Sequence, residues 1–166
     1  MYRWIVFIHI LSALAFFMAH GASAVMAFQI RREQNLDRIR ALLDLSYTAL
    51  PVAYMSLMVL VLAGIIAGVM AHWFSQGWIW ASIALLVVMW FGMHGYASRY
   101  YTPIRKAIGL PYHDRQGEHP ASPSASEEEI VKLLQTTNPM LLLGFSFGLL
   151  SIILWLMMFI QALLGS

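Results

Sequence analysis

Charge in this chain is confined to a few short segments, and that distribution limits the possible folds more than any other feature. No Asp, Glu, Lys or Arg lies between Trp4 and Ile30, between Leu45 and Ser98, or after Lys132. A helix that crosses a membrane needs about 20 predominantly apolar residues. The first and third stretches hold one such helix each. The second is long enough for two, divided at Trp73-Phe74-Ser75-Gln76-Gly77-Trp78. The sequence therefore predicts one all-α membrane domain over residues 1–166, an integral four-helix bundle. Its spans fall at residues 4–30, 51–73, 78–101 and 139–164, joined by charged segments 31–50 and 102–138. The apolar run of the first span continues past the small residues Ala22-Ser23-Ala24 to Arg31-Arg32, which favours a retained helix over a cleaved signal peptide.

Composition narrows the function. Hydrophobic residues make up 60% of the chain and charged residues 11%, against roughly a quarter charged in ordinary soluble domains. Ten Lys and Arg against eight Asp and Glu leave no basic surface of the kind nucleic acid requires. The absence of cysteine removes disulfides, thiolate nucleophiles, iron–sulfur clusters and covalently attached haem. No carboxylate pair, nucleophile–base set or phosphate-binding loop is present, and no acidic residue or lysine lies in a span, which argues against an ion pump. No catalytic residue can be named.

Nine of the ten basic residues lie at one end of the spans, four within Arg31–Asp44 and five within Arg99–Lys132, and only Arg3 lies at the other end. The positive-inside rule makes both segments cytoplasmic and places both termini outside, with Trp4, Trp73, Trp78 and Trp80 as an outer aromatic belt. Asn35-Leu36-Asp37 opens an amphipathic stretch that leads into helix two near Pro51. Residues 113–126 read as a mobile loop, Ser126-Glu127-Glu128-Glu129 as a capping box, and Asn138-Pro139 as an N-cap followed by proline at the first helical position.

Four histidines lie in the spans: His9, His20, His72 and His94. Imidazole is costly in hydrocarbon, so each needs a partner. His9 and His20 are eleven residues apart, which returns them to within roughly 20° of one helix face and separates them by roughly 16 Å. Counted from Trp4 and Trp78, His20 and His94 are equally deep and form an inner level; His9 and His72 form a looser outer level. Paired imidazoles from facing helices are what a b-type haem takes as axial ligands. Gly21, Gly92 and Gly95 leave room for a flat ring. Two levels predict one or two haems, with His9, His20, His72 and His94 as iron ligands. The bland alternative is that each histidine only hydrogen-bonds a neighbouring helix. Copper is a weaker alternative, suggested by Met18, Met70 and Met93 beside three of the histidines. The Gly64–Gly68 and Gly144–Gly148 spacings read as close helix contacts.

His9-Ile10-Leu11, Trp78, Met93-His94-Gly95-Tyr96, Arg99, Arg105-Lys106 and Gly109 together resemble small bacterial four-helix membrane proteins, the haem-binding protoporphyrinogen oxidases and the copper-resistance D-type proteins. The likeness covers helices one to three. It implies the four-helix fold, a bacterial inner-membrane location and, for the oxidase branch, a b-type haem near His9. The chain reads Ala81-Ser82-Ile83-Ala84 where those oxidases carry a lysine, and it adds His20. The expected function is haem-based electron transfer across the membrane, alone or as the membrane subunit of a redox complex, with lipid and a redox partner as its contacts. An enzyme of the protoporphyrinogen-oxidase type and a non-catalytic scaffold subunit are the alternatives. The charge asymmetry makes its own prediction: a reporter active only outside the inner membrane should be active when fused after Ser166 and silent when inserted at Ser122. The reverse pattern overturns the orientation.

Overall fold

The structure is a computed structural model and describes residues 1–114 and 116–160. In chain order the elements are α1 (Tyr2–Arg32), α2 (Leu36–Met70), a single 3-10 turn (Trp73–Ser75), α3 (Gly77–Ala107), strands β1 (Tyr112–Asp114) and β2 (Gly117–His119), α4 (Glu127–Thr136) and α5 (Pro139–Trp155), which continues as a π-turn (Leu156–Ile160). Four helical segments are long and apolar enough to cross a membrane: α1, α2, α3 and the stretch from α4 through α5. The predicted ends of span four at 161–164, and Arg115, lie outside the described residues.

The bundle order follows from which helices touch. α1 lies along α2 and against α5, and α5 lies against α3. Side chains close the circuit between α2 and α3, with the Tyr54 and Trp90 rings 5.3 Å apart. α1 and α3 are therefore diagonal. Their outward faces are apolar, with Trp4 and Phe91 each about 70% exposed. A water-soluble monomer does not present so much contiguous apolar surface.

Two helices run further than the charge pattern suggests. α2 begins at Leu36, so the amphipathic stretch and the predicted span form one helix with Pro51 inside it. Proline there removes one bond, to the carbonyl four residues earlier, and the helix continues because packing on α1 holds both halves. α3 likewise passes through Pro103 to Ala107. The caps agree with the sequence. Asn35 Oδ1 accepts from the backbone of Asp37 and Arg38, Ser126 Oγ from Glu129, and Asn138 Oδ1 from Met140 and Leu141. Between α1 and α2, Glu33 Oε1 accepts from the backbone N–H groups of Asn35 and Gln34, which hold its carboxyl below the usual range.

The segment read as mobile contains a hairpin. Tyr112 pairs with His119 across the strands and stacks on it, centroids 4.8 Å apart. Asp114 Oδ1 lies 2.9 Å from His119 Nε2 and accepts from Gln116 N–H. These bonds, the Gln116 one foremost, hold the Asp114 carboxyl below its ordinary value. The turn after α3 depends on Gly109, at φ 77°, where a Cβ would sit 2.8 Å from the Ser122 carbonyl oxygen.

Two cores result. Within the apolar length, Phe16, Leu57, Met89 and Leu150 bring all four long helices together. At the charged end, Ile30, Ile39, Ile104, Ile108, Ile130 and Leu134 join α1, α2, α3 and α4. Arg105 is buried beside this second core. Its Nε donates to the Pro111 carbonyl, Nη1 to the Leu43 carbonyl and Nη2 to Asp44, at 2.9, 3.1 and 3.2 Å. The guanidinium also lies 4.7 Å over the Tyr47 ring. One planar fork thus ties α2, α3 and the loop together. Arg105→Gln should destabilise the protein by about 2–4 kcal/mol, because the buried Leu43 carbonyl and the more accessible Pro111 carbonyl both lose a charged donor. Arg105→Lys should recover less than half of that, since an ammonium cannot span three acceptors. Thermal unfolding of the detergent-solubilised variants measures both; equal stability of Arg105→Gln and the native protein overturns the assignment.

Candidate functional site

The four histidines occupy four different environments. His9 is partly buried on α1 and faces α2. Its Nδ1 donates to the Leu60 carbonyl at 2.8 Å. The ring rests on Gly64, where a Cβ would lie 2.9 Å from His9 Cε1 and 3.1 Å from Nδ1. Only glycine at that position admits the ring. This contact uses one half of the small-residue spacing between Gly64 and Gly68. The other half, Gly68, receives the Phe74 ring. With Nδ1 as the donor, Nε2 is the nitrogen with a free lone pair, the tautomer a metal-ligating histidine adopts when its other nitrogen is held by a carbonyl.

His20 lies deeper, on the side of α1 that meets α5. Phe16 stacks on its ring at 5.7 Å and Phe147 lies at 5.3 Å. Its Nε2 is buried and has no hydrogen-bond partner; Tyr101 Oη is the other such side-chain atom among the described residues. Gly21, the next residue, leaves the space beside it open, with the Phe147 ring 3.8 Å from a notional Cβ.

His72 closes α2 in the left-handed conformation, φ 56°, and is exposed. His94 is exposed on α3. The two predicted levels therefore look different in three dimensions. Tyr2 meets Trp73, so His72 stands level with the start of α1, whereas His9 stands level with Leu60 and Gly64. Eight residues of α2 between Gly64 and His72 put them about 12 Å apart in depth. The structure does not bring these two together.

At the inner level, depth and direction part company. Phe145 presses on Gly92, where a Cβ would be 2.5 Å from its ring, and Phe147 presses on His20. Those phenylalanines are two residues apart, so His20 and Gly92 share a level to within about 3 Å. The inward stripe of α3 is Ser82, Leu86, Met89, Met93 and Tyr96: Ser82 and Met89 are buried, Leu86 and Met93 pack on the central core, and the Tyr96 hydroxyl reaches Asn138. At 100° per residue His94 points roughly 125° away from that stripe. The α3 side chain that reaches the interior at the level of His20 is Met93, not His94. Distance from Trp78 gives the depth of His94 but not its direction; the spacing of Ser82, Leu86, Met89 and Met93 is the signal that carries direction.

No group of three or more His, Asp or Glu side chains capable of sharing a metal ion occurs among the described residues. Of the three methionines behind the copper alternative, Met18 and Met70 are 76% and 42% exposed, and Met93 packs against the central core. Within Ala81-Ser82-Ile83-Ala84, Ser82 is buried and donates to the Trp78 carbonyl. Comparison of the chain with known protein families, with curated proteins and with solved structures gives no match. The fold is helical, with four helical segments long and apolar enough to cross a membrane, as in a multi-pass membrane protein.

The fit of His9 to Gly64 generates a test. Gly64→Ala should cost about 1–3 kcal/mol, because the methyl displaces an imidazole that is also hydrogen-bonded. In a His9→Ala background the same substitution should be close to neutral, giving a coupling energy of similar size. Additive effects in a double-mutant cycle of thermal stability overturn the contact.

Proposed function

We propose that this chain is a b-type haem-binding protein of the bacterial inner membrane that transfers electrons, alone or as the membrane subunit of a redox complex. In this reading the charged end faces the cytoplasm and the tryptophan-rich end faces outward. The observation that carries it is the unpartnered Nε2 of His20. A buried polar atom without a partner costs about 1–3 kcal/mol, and the cost is better understood if that nitrogen has a ligand to hold. The phenyl rings of Phe16 and Phe147 fix the imidazole plane and exclude water from it.

The donor chemistry around this point fits a haem. His20 offers a neutral imidazole nitrogen, and Met93 offers a thioether from the diagonal helix at the same level, packed against the core that contains Phe16. A His and Met pair is an established axial set and raises the haem potential relative to two histidines. His9 offers a second imidazole with its Nε2 free, roughly 16 Å away along α1. A haem held by these residues would supply one-electron chemistry. His9 alone does not demand a cofactor, because its bond to Leu60 is a sufficient reason for it as a helix fastener. The weight of the reading therefore rests on His20.

Protein purified from cells supplied with haem should show a reduced b-type absorption band. His20→Ala should abolish the inner component, Met93→Leu should shift its spectrum and lower its potential, and His94→Ala should leave it unchanged. A native protein with no such band overturns the reading. A band lost in His94→Ala and retained in Met93→Leu restores the histidine pair predicted from depth alone.

A further inference from the structure

The turn between α1 and α2 holds a charge excess that the fold does not use. Arg40 is occupied: it donates to the Ile108 carbonyl and pairs with Asp37 at 3.1 Å. Arg105 is occupied as described. Lys106 lies over the Tyr112 ring. Arg31 and Arg32, at the end of α1, are exposed, and neither makes an ion pair or side-chain hydrogen bond among the described residues. Arg38 is 76% exposed and meets only Glu33, at 3.7 Å. One oxygen of that carboxylate is already committed to the backbone of Gln34 and Asn35. Three arginines thus face one partly committed carboxylate.

Arg32 and Arg38 also share a groove. Gln29, Arg32, Glu33, Arg38, Ala41 and Leu42 line an open cleft between the end of α1 and the start of α2. Its lining combines the charged Arg32, Glu33 and Arg38 and the polar Gln29 with the apolar Ala41 and Leu42. The apolar run of α1 ends at Ile30, one residue before the arginines, so in a bilayer the rim stands at headgroup depth while the helix below lies in hydrocarbon.

From this placement we infer that the cleft between α1 and α2 is a binding site for an anionic phospholipid, with Arg32 and Arg38 holding the phosphate and Ala41 and Leu42 meeting the first carbons of its chain. Guanidinium forks suit phosphate oxygens geometrically, and basic clefts between helices at the headgroup level are where anionic lipids are retained.

The test uses the full chain in nanodiscs of mixed phosphatidylglycerol and phosphatidylcholine, with retained lipid counted by native mass spectrometry after release. Phosphatidylglycerol should be retained preferentially. Each arginine removed should weaken retention about fivefold, so Arg32→Gln with Arg38→Gln should weaken it about thirtyfold. Both side chains are exposed, so the double variant should unfold at the temperature of the native protein. Arg3→Gln with Lys132→Gln removes the same charge elsewhere and should leave retention unchanged. Inorganic phosphate at millimolar concentration should not displace the lipid. Unchanged retention in the Arg32→Gln, Arg38→Gln variant, an equal loss in the control, or displacement by phosphate alone overturns the assignment.

Discussion

Hydrocarbon offers no hydrogen bonds, and the rest of this structure depends on that fact. Every backbone polar group in the apolar stretches must be satisfied within the chain, which leaves the helix as the one solution for four separate spans. Side chains obey the same rule. Ser82 and Ser146 return their hydroxyls to carbonyls four residues earlier on their own helices. His9 reaches across to a carbonyl of α2, and Tyr96 both donates to and accepts from the backbone of Asn138, clamping the start of α5. Among the described residues two buried side-chain atoms escape this accounting, His20 Nε2 and Tyr101 Oη; Tyr101 packs against the core at the charged end, whereas His20 lies within the apolar length of α1.

The same solvent decides how the helices hold together. Lipid is as apolar as leucine, so burial does not drive association between spans, and close packing must. Rings lodged on glycines supply that packing: His9 on Gly64, Phe74 on Gly68, Phe145 on Gly92. At the charged end, outside the long apolar runs, a conventional water-excluding core forms from Ile39, Ile104, Ile108 and Ile130, and burial of each contributes about 1.5–3 kcal/mol. Arg105 belongs to that second regime, where a buried charge is tolerable because three acceptors surround it. The protein is thus stabilised by two different mechanisms along one bundle axis.

This division separates its candidate functions as well. The interior, where His20, Met93 and the phenylalanines meet, is suited to hold a flat cofactor away from water. The exposed arginines at the α1–α2 turn belong to the headgroup layer, where long-range charge and lipid composition act. Neither site shares a residue with the other, so each can fail without the other.

The sequence by itself determined that the chain is helical, that four segments are long and apolar enough to span a membrane, and where several helices begin. Charge spacing reports length and hydropathy directly, and Asn35, Ser126 and Asn138 cap helices through bonds to residues two or three positions away. Depth was legible in part: a constant rise per residue placed His20 and His94 alike, but His9 and His72 stand about 12 Å apart. Partnership was not. His20 and His94 share a depth, yet only the packing of α3 on α5, through Phe145 on Gly92, turns Met93 inward and His94 outward. The hairpin that pairs Tyr112 with His119, the continuation of α2 through Pro51, and the three acceptors of Arg105 were decided in the same way. Each depends on which surfaces of distant segments meet, and local periodicity gives a helix its faces without saying which neighbour each face will find.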